Sequence, residues 1–88
     1  MARYIVEIEH TPEDCVAALD SVVAMSKELI GRFDWGCKAG AHTGWAVMEA
    51  RDEATARMLL PTVARQSAKV VQLNKFTVED VQSFHTGH

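Results

Sequence analysis

Residues 3–10 alternate side chain by side chain and run directly into Thr11, Pro12, Glu13 and Asp14. This join constrains the fold more than any other stretch, because a period of two gives way to a helix start with no linker between. Tyr4, Val6, Ile8 and His10 fall on one side of the first segment, and Arg3, Ile5, Glu7 and Glu9 on the other, as in a half-buried strand. Thr11 suits a helix N-cap, Pro12 the first helical position, and the two acids the positive end of the helix dipole. Val16, Leu19, Val23 and Ile30 follow at near-helical spacing, and Gly31 is placed to end the helix.

The rest of the chain continues in short elements. Residues 33–38 read as a second strand, Ala39, Gly40 and Ala41 as a turn, and residues 43–50 as a third strand, so that the second and third form a hairpin. Asp52 caps a second helix that runs through Ala54 and Met58 to Leu60. Pro61, lacking an amide proton, then forces a break or a new short turn. Residues 68–75 form the fourth strand, and Thr77 with Asp80 repeats the threonine–acid pattern at the start of a short terminal helix reaching Phe84. No linker or low-complexity segment interrupts this order, so residues 1–88 are expected to form one domain. Short connections and right-handed crossovers then favour an α+β, ferredoxin-like βαββαβ sandwich. Its four-stranded antiparallel sheet has order 4-1-3-2, with two helices on one face.

Parity divides the sheet. Tyr4, Val6, Ile8, Ala46, Met48, Ala50, Val71 and Leu73 are expected toward the helices. Ile5, Glu7, Glu9, Trp45, Val47, Glu49, Val70 and Gln72 are expected on the open face, where the apolar members make a patch too large to leave wet. A homodimer through this face is therefore expected. A net charge of −3 without a basic run argues against a nucleic-acid partner. No apolar run approaches a membrane span, and Met1 leads straight into a strand rather than a leader, so a cytoplasmic protein is expected. In that setting Cys15 and Cys37 read as reduced thiols.

The segments at residues 9–15 (EHTPEDC), 40–50 (GAHTGWAVMEA) and 73–85 (LNKFTVEDVQSFH), with the element order and the half-apolar open face, carry a family resemblance. The chain resembles the dimeric α/β-barrel superfamily of ferredoxin-like proteins, and within it an uncharacterised branch of short bacterial and archaeal proteins. The resemblance implies two sheets packed face to face. The superfamily includes small monooxygenases, stress-responsive barrel proteins and a small nickel-binding protein. None of its catalytic motifs is matched residue by residue, so no family site is carried over.

Topology brings the end of the first strand, the start of the first helix and the hairpin to one edge of the sheet. His10, Cys15, Cys37 and His42 lie in those places. Imidazole and thiolate suit zinc, copper(I) or nickel, and a cysteine in the first turn of a helix favours thiolate. Beside this stands a plainer reading, in which the cysteines are small core hydrophobes and each histidine bonds a nearby carbonyl. On the open face Glu7, Glu9 and Glu49 stand near Trp45. Enclosed by a partner, these carboxylates would act as bases beside an aromatic-lined pocket. Alternatively they are rim charges, or pair with Arg3, Arg51 or Lys75. Trp35 and Trp45 read as packing residues, and His85 and His88 as solvated tail residues.

Three functions follow. The first is a small dimeric binding protein for a metal ion or small ligand at the hairpin edge. The second is a cofactor-free barrel enzyme, monooxygenase- or isomerase-like, acting on a small aromatic molecule. The third is a structural or regulatory interaction module. The four-donor set favours the first.

Overall fold

The computed structural model describes residues 1–86; the expectation for His88 lies outside them. Strand β1 (Ala2–Glu9) sits at the centre of the sheet because both its edges are used. On one edge it pairs antiparallel with β3 (Thr43–Ala50), with Val6 opposite Ala46 and Ile8 opposite Gly44. On the other it pairs antiparallel with β4 (Lys69–Leu73). The short β2 (Asp34–Trp35) adds to the outer edge of β3, giving the order β2-β3-β1-β4. This is the strand order that the sequence predicts, in an α+β fold.

Alternation in β1 and β3 is borne out. Tyr4, Val6, Ile8, Ala46, Met48 and Ala50 are all buried, and they form one core with Val22, Leu29, Ala56 and Leu60 from the helices and the segment after them. The assignment for β4 is corrected. Val70 stands opposite Val6 and is buried, while Val71 stands opposite Ile5 and is 55 % exposed. Leu73, paired with Arg3, shares the open face with Val71, and Gln72 lies opposite Tyr4. Two adjacent valines satisfy either parity, so only the register with β1 chooses between them.

The first helix is also shorter than predicted. Thr11 accepts a hydrogen bond from the Asp14 amide and opens a 3-10 turn (Pro12–Asp14), which leads into α1 (Cys15–Met25). Ser26 then turns extended and its hydroxyl accepts from the Glu28 amide, which starts the separate α2 (Leu29–Arg32). A serine that satisfies the backbone locally competes with helix continuation. Gly31 consequently lies inside α2 instead of ending α1. The buried stripe shifts too: Val22 faces the core, with Cys15, Ala18 and Leu19 half-buried, whereas Val16 and Val23 are exposed.

Asp52 caps α3 (Glu53–Met58) by accepting from the Thr55 amide, and Pro61 precedes a 3-10 turn (Thr62–Ala64). Arg57 fixes this connection from inside: its Nη1 donates to the carbonyls of Arg65, at 2.7 Å, and Ala68, at 2.9 Å. Thr77 and Asp80 form a reciprocal capping box that opens α4 (Val78–His85). Every described residue from Asn74 onward is exposed, including Phe76, Val78, Val81, Phe84 and His85. The molecule measures 51 × 29 × 21 Å with a radius of gyration of 16.0 Å. A compact chain of this length has about 12 Å. Among the described residues no helix is long and apolar enough to cross a membrane.

Candidate metal centre

The centre is built by the ends of three elements. β1 and β3 continue their pairing one step past the strands, where the His10 amide donates to the His42 carbonyl at 3.0 Å. His10 and His42 are thereby fixed side by side, their rings 5.5 Å apart and nearly perpendicular. Cys15 is the first residue of α1, positioned by the Thr11 cap only a few residues after β1.

The segment of Cys37 corrects the prediction of a strand over residues 33–38. Pairing stops after Trp35, and Cys37–Ala39 forms a 3-10 turn. The turn is held by the Gly36 carbonyl, which accepts from the amides of Ala39 and Ala41, and by the Gly36 amide, which donates to Thr43. A Cβ on residue 36 would stand 2.6 Å from the Ala41 carbonyl oxygen, so only glycine allows so close a turn. This turn swings Cys37 over the end of β1, where its Sγ lies 3.3 Å from His10 Nε2.

The four residues predicted as metal ligands do come together. One donor atom from each of His10, Cys15, Cys37 and His42 lies within 4.8 Å of all the others, and all four residues are half-buried. Mutual distances of that size leave a common centre within about 3 Å of every donor, against ligand bonds of about 2.0–2.3 Å. The Nδ1 atoms of His10 and His42 are buried and have no hydrogen-bond partner among the described residues. An unpaired buried nitrogen costs stability, and in His10 the nitrogen beside Cys37 is the other one, Nε2. The plainer expectation that each histidine bonds a nearby carbonyl through its ring is not met for these two nitrogens.

Cys15 stands at the helix start beside a second thiol. Its pKa is raised, first by a hydrogen bond with the Cys37 side chain, then by burial, then by the charge of Cys37. Two neighbouring thiols disfavour a second negative charge.

Trp35 packs against the core, as its sequence reading expects, and also lies beside His10. Its ring stacks on Phe33 at 5.4 Å and lies 6.0 Å from the His10 ring. Gly44 permits this: a Cβ there would stand 2.6 Å from the Trp35 ring. The signal in the sequence is the lone glycine at 44, which stands opposite Trp35. A cleft of about 510 Å³, lined in part by His10, runs between α1 and the 61–67 segment, bordered by Asp14, Ser21, Val22, Pro61 and Ser67.

The open-face residues form a separate group. Glu7 accepts from Trp45 Nε1 at 2.9 Å and meets Lys69 Nζ at 3.6 Å, across its pairing partners on both neighbouring strands. The expected pairs with Arg3, Arg51 or Lys75 are not found among the described residues; Glu7 pairs with Lys69 instead. Arg51 instead meets its neighbour Asp52 at 3.6 Å. Glu9 and Glu49 are exposed and stand opposite Thr43 and Arg3. A hollow of about 200 Å³ lies among Ile5, Glu7, Trp45, Lys69 and Val71.

No protein-family model, curated protein or solved structure matches the chain.

Proposed function

We propose that this chain is a small binding protein for a transition-metal ion, held by His10, Cys15, Cys37 and His42. The observation that carries this reading is the convergence of two imidazoles and two thiols within 4.8 Å from three separate segments. Two sulfur and two nitrogen donors suit tetrahedral zinc first, with copper(I) and nickel as competitors. Four protein ligands fill a tetrahedral shell and leave no position for substrate, so the ion is stored, sensed or structural. The reading assumes a reducing cytosol, in which both cysteines persist as thiols.

The test is elemental analysis of protein stripped of metal, reloaded with zinc, nickel or copper(I) and desalted. One equivalent of retained ion is expected for the wild type, and loss of retention for Cys37→Ser combined with His42→Ala. Equal retention in that double variant, or none in the wild type, would overturn the assignment.

The ferredoxin-like arrangement and kinship with the dimeric α/β barrels belong to the same reading, supported by the strand order. So does a second copy across the open face, where Val47 and Val71 are more than half exposed beside Ile5 and Trp45. Light scattering should return twice the chain mass, and Val47→Lys should return the single mass. A clean monomer from the wild type removes the dimer but leaves the metal site standing.

A further inference from the structure

The two sulfurs of the centre belong to different elements, one at the start of α1 and one in the turn between β2 and β3. They nonetheless lie within 4.8 Å of each other, and both residues are half-buried, so a small oxidant reaches them. Neither cysteine sits within a strand, and both follow or form 3-10 turns. A rotamer change at either residue moves its sulfur on the scale of the gap that remains to a disulfide bond. Among the described residues these are the only cysteines, so no other intramolecular partner competes.

We propose that Cys15 and Cys37 form a reversible disulfide under oxidation by hydrogen peroxide, making the centre a redox modification site. One sulfur attacks the peroxide O–O bond: an S–O bond forms, the O–O bond breaks, and the leaving oxygen departs as water carrying one thiol proton. The second sulfur then attacks the sulfenic sulfur: the S–S bond forms, the S–O bond breaks, and a second water leaves with the other thiol proton. The two sulfurs lose two electrons and the peroxide gains them. A dithiol reverses the reaction by exchange.

A consequence rests on the metal reading. A bound ion engages both sulfurs, so metal and disulfide exclude one another, and oxidation releases the ion.

The experiment treats the metal-free full-length chain with hydrogen peroxide and follows intact mass and linked proteolytic peptides. Expected is the loss of two hydrogens, a single Cys15–Cys37 linked peptide, and recovery of both thiols with dithiothreitol. Cys15→Ser and Cys37→Ser chains should each yield no intramolecular link. Sulfinic or sulfonic products on both wild-type cysteines without the link, or links only between chains, would overturn the proposal. Zinc at ten times its dissociation constant should slow linkage about tenfold, because about a tenth of the chains remain open. Linkage that forms at the same rate with zinc present supports the disulfide and overturns the metal reading. Stoichiometric zinc retention without linkage does the reverse.

Discussion

At the residue scale, small groups decide whether the centre can exist. Gly44 carries no side chain, and this lets Trp35 lie across β3 beside His10. Trp35 is itself stacked on buried Phe33, so it has little room to retreat. Gly44→Ala should therefore cost about 1–3 kcal/mol as an overpacked substitution. It should also weaken zinc binding, measured by thermal unfolding and by competition with a chromogenic chelator. Asp52 makes a different kind of contribution. Its pKa is lowered by Thr55, through the side chain first and then the backbone amide, with a smaller effect of Arg51. The cap contributes its stability above the ordinary carboxylate range and loses it as pH falls through the lower folded value. Asp52→Asn keeps a capping oxygen without the charge. The difference in unfolding free energy between pH 6 and pH 3 should shrink in this variant, as read by urea titration at each pH.

At the scale of elements, β4 and α3 depend on a connection that has little regular structure of its own. Residues 59–68 contain Pro61 and a 3-10 turn, and two arginines hold them in place. Arg57 bridges α3 to the carbonyls of Arg65 and Ala68, while Arg65 Nε donates to the Leu60 carbonyl at 3.0 Å. Arg57 also meets Glu53 at 3.1 Å, one turn back on α3. Removing the guanidinium would leave two part-buried carbonyls without their charged donor. Arg57→Ala should cost about 2–3 kcal/mol, and Arg57→Lys should recover only part of it, since one ammonium lacks the separate Nε that meets Glu53 while Nη1 serves both carbonyls. Chemical denaturation of the three proteins checks this.

The elements also show where sequence reading succeeds and where it cannot. The caps at Thr11, Asp52 and Thr77 were all legible because each bond closes within three residues. The buried faces of β1 and β3 were legible because polar and apolar side chains alternate there. The end of α1 was missed because Ser26 stands among good helix formers and its local hydrogen bond tips the balance. The turn bearing Cys37 was read as a strand because Phe33 and Trp35 set an alternation that Gly36 then breaks.

At the scale of the whole molecule, α4 stands apart. Its N-terminus is well capped, yet none of its residues is buried, and Phe76 and Phe84 meet edge to face at 5.6 Å. The core is assembled from residues 4–70 and includes nothing from α4. A chain ending at Lys75 should therefore keep its cooperative unfolding and its midpoint, as followed by circular dichroism. A large fall in the midpoint would mean that α4 stabilises the fold through a partner.

The sequence by itself determined the number and order of strands, the three caps, the inward faces of β1 and β3, and which four residues approach the hairpin edge. Those features rest on hydrogen bonds a few residues long and on periodicity along single segments. Only the tertiary structure decided that Val70 faces the core and Val71 does not, because that depends on the register of β4 against β1. It alone decided that His10, Cys15, Cys37 and His42 close to within 4.8 Å of one another. That distance depends on contacts between segments far apart in the chain, the His10 amide on the His42 carbonyl and Cys37 Sγ beside His10 Nε2, and such contacts leave no periodic trace in the sequence.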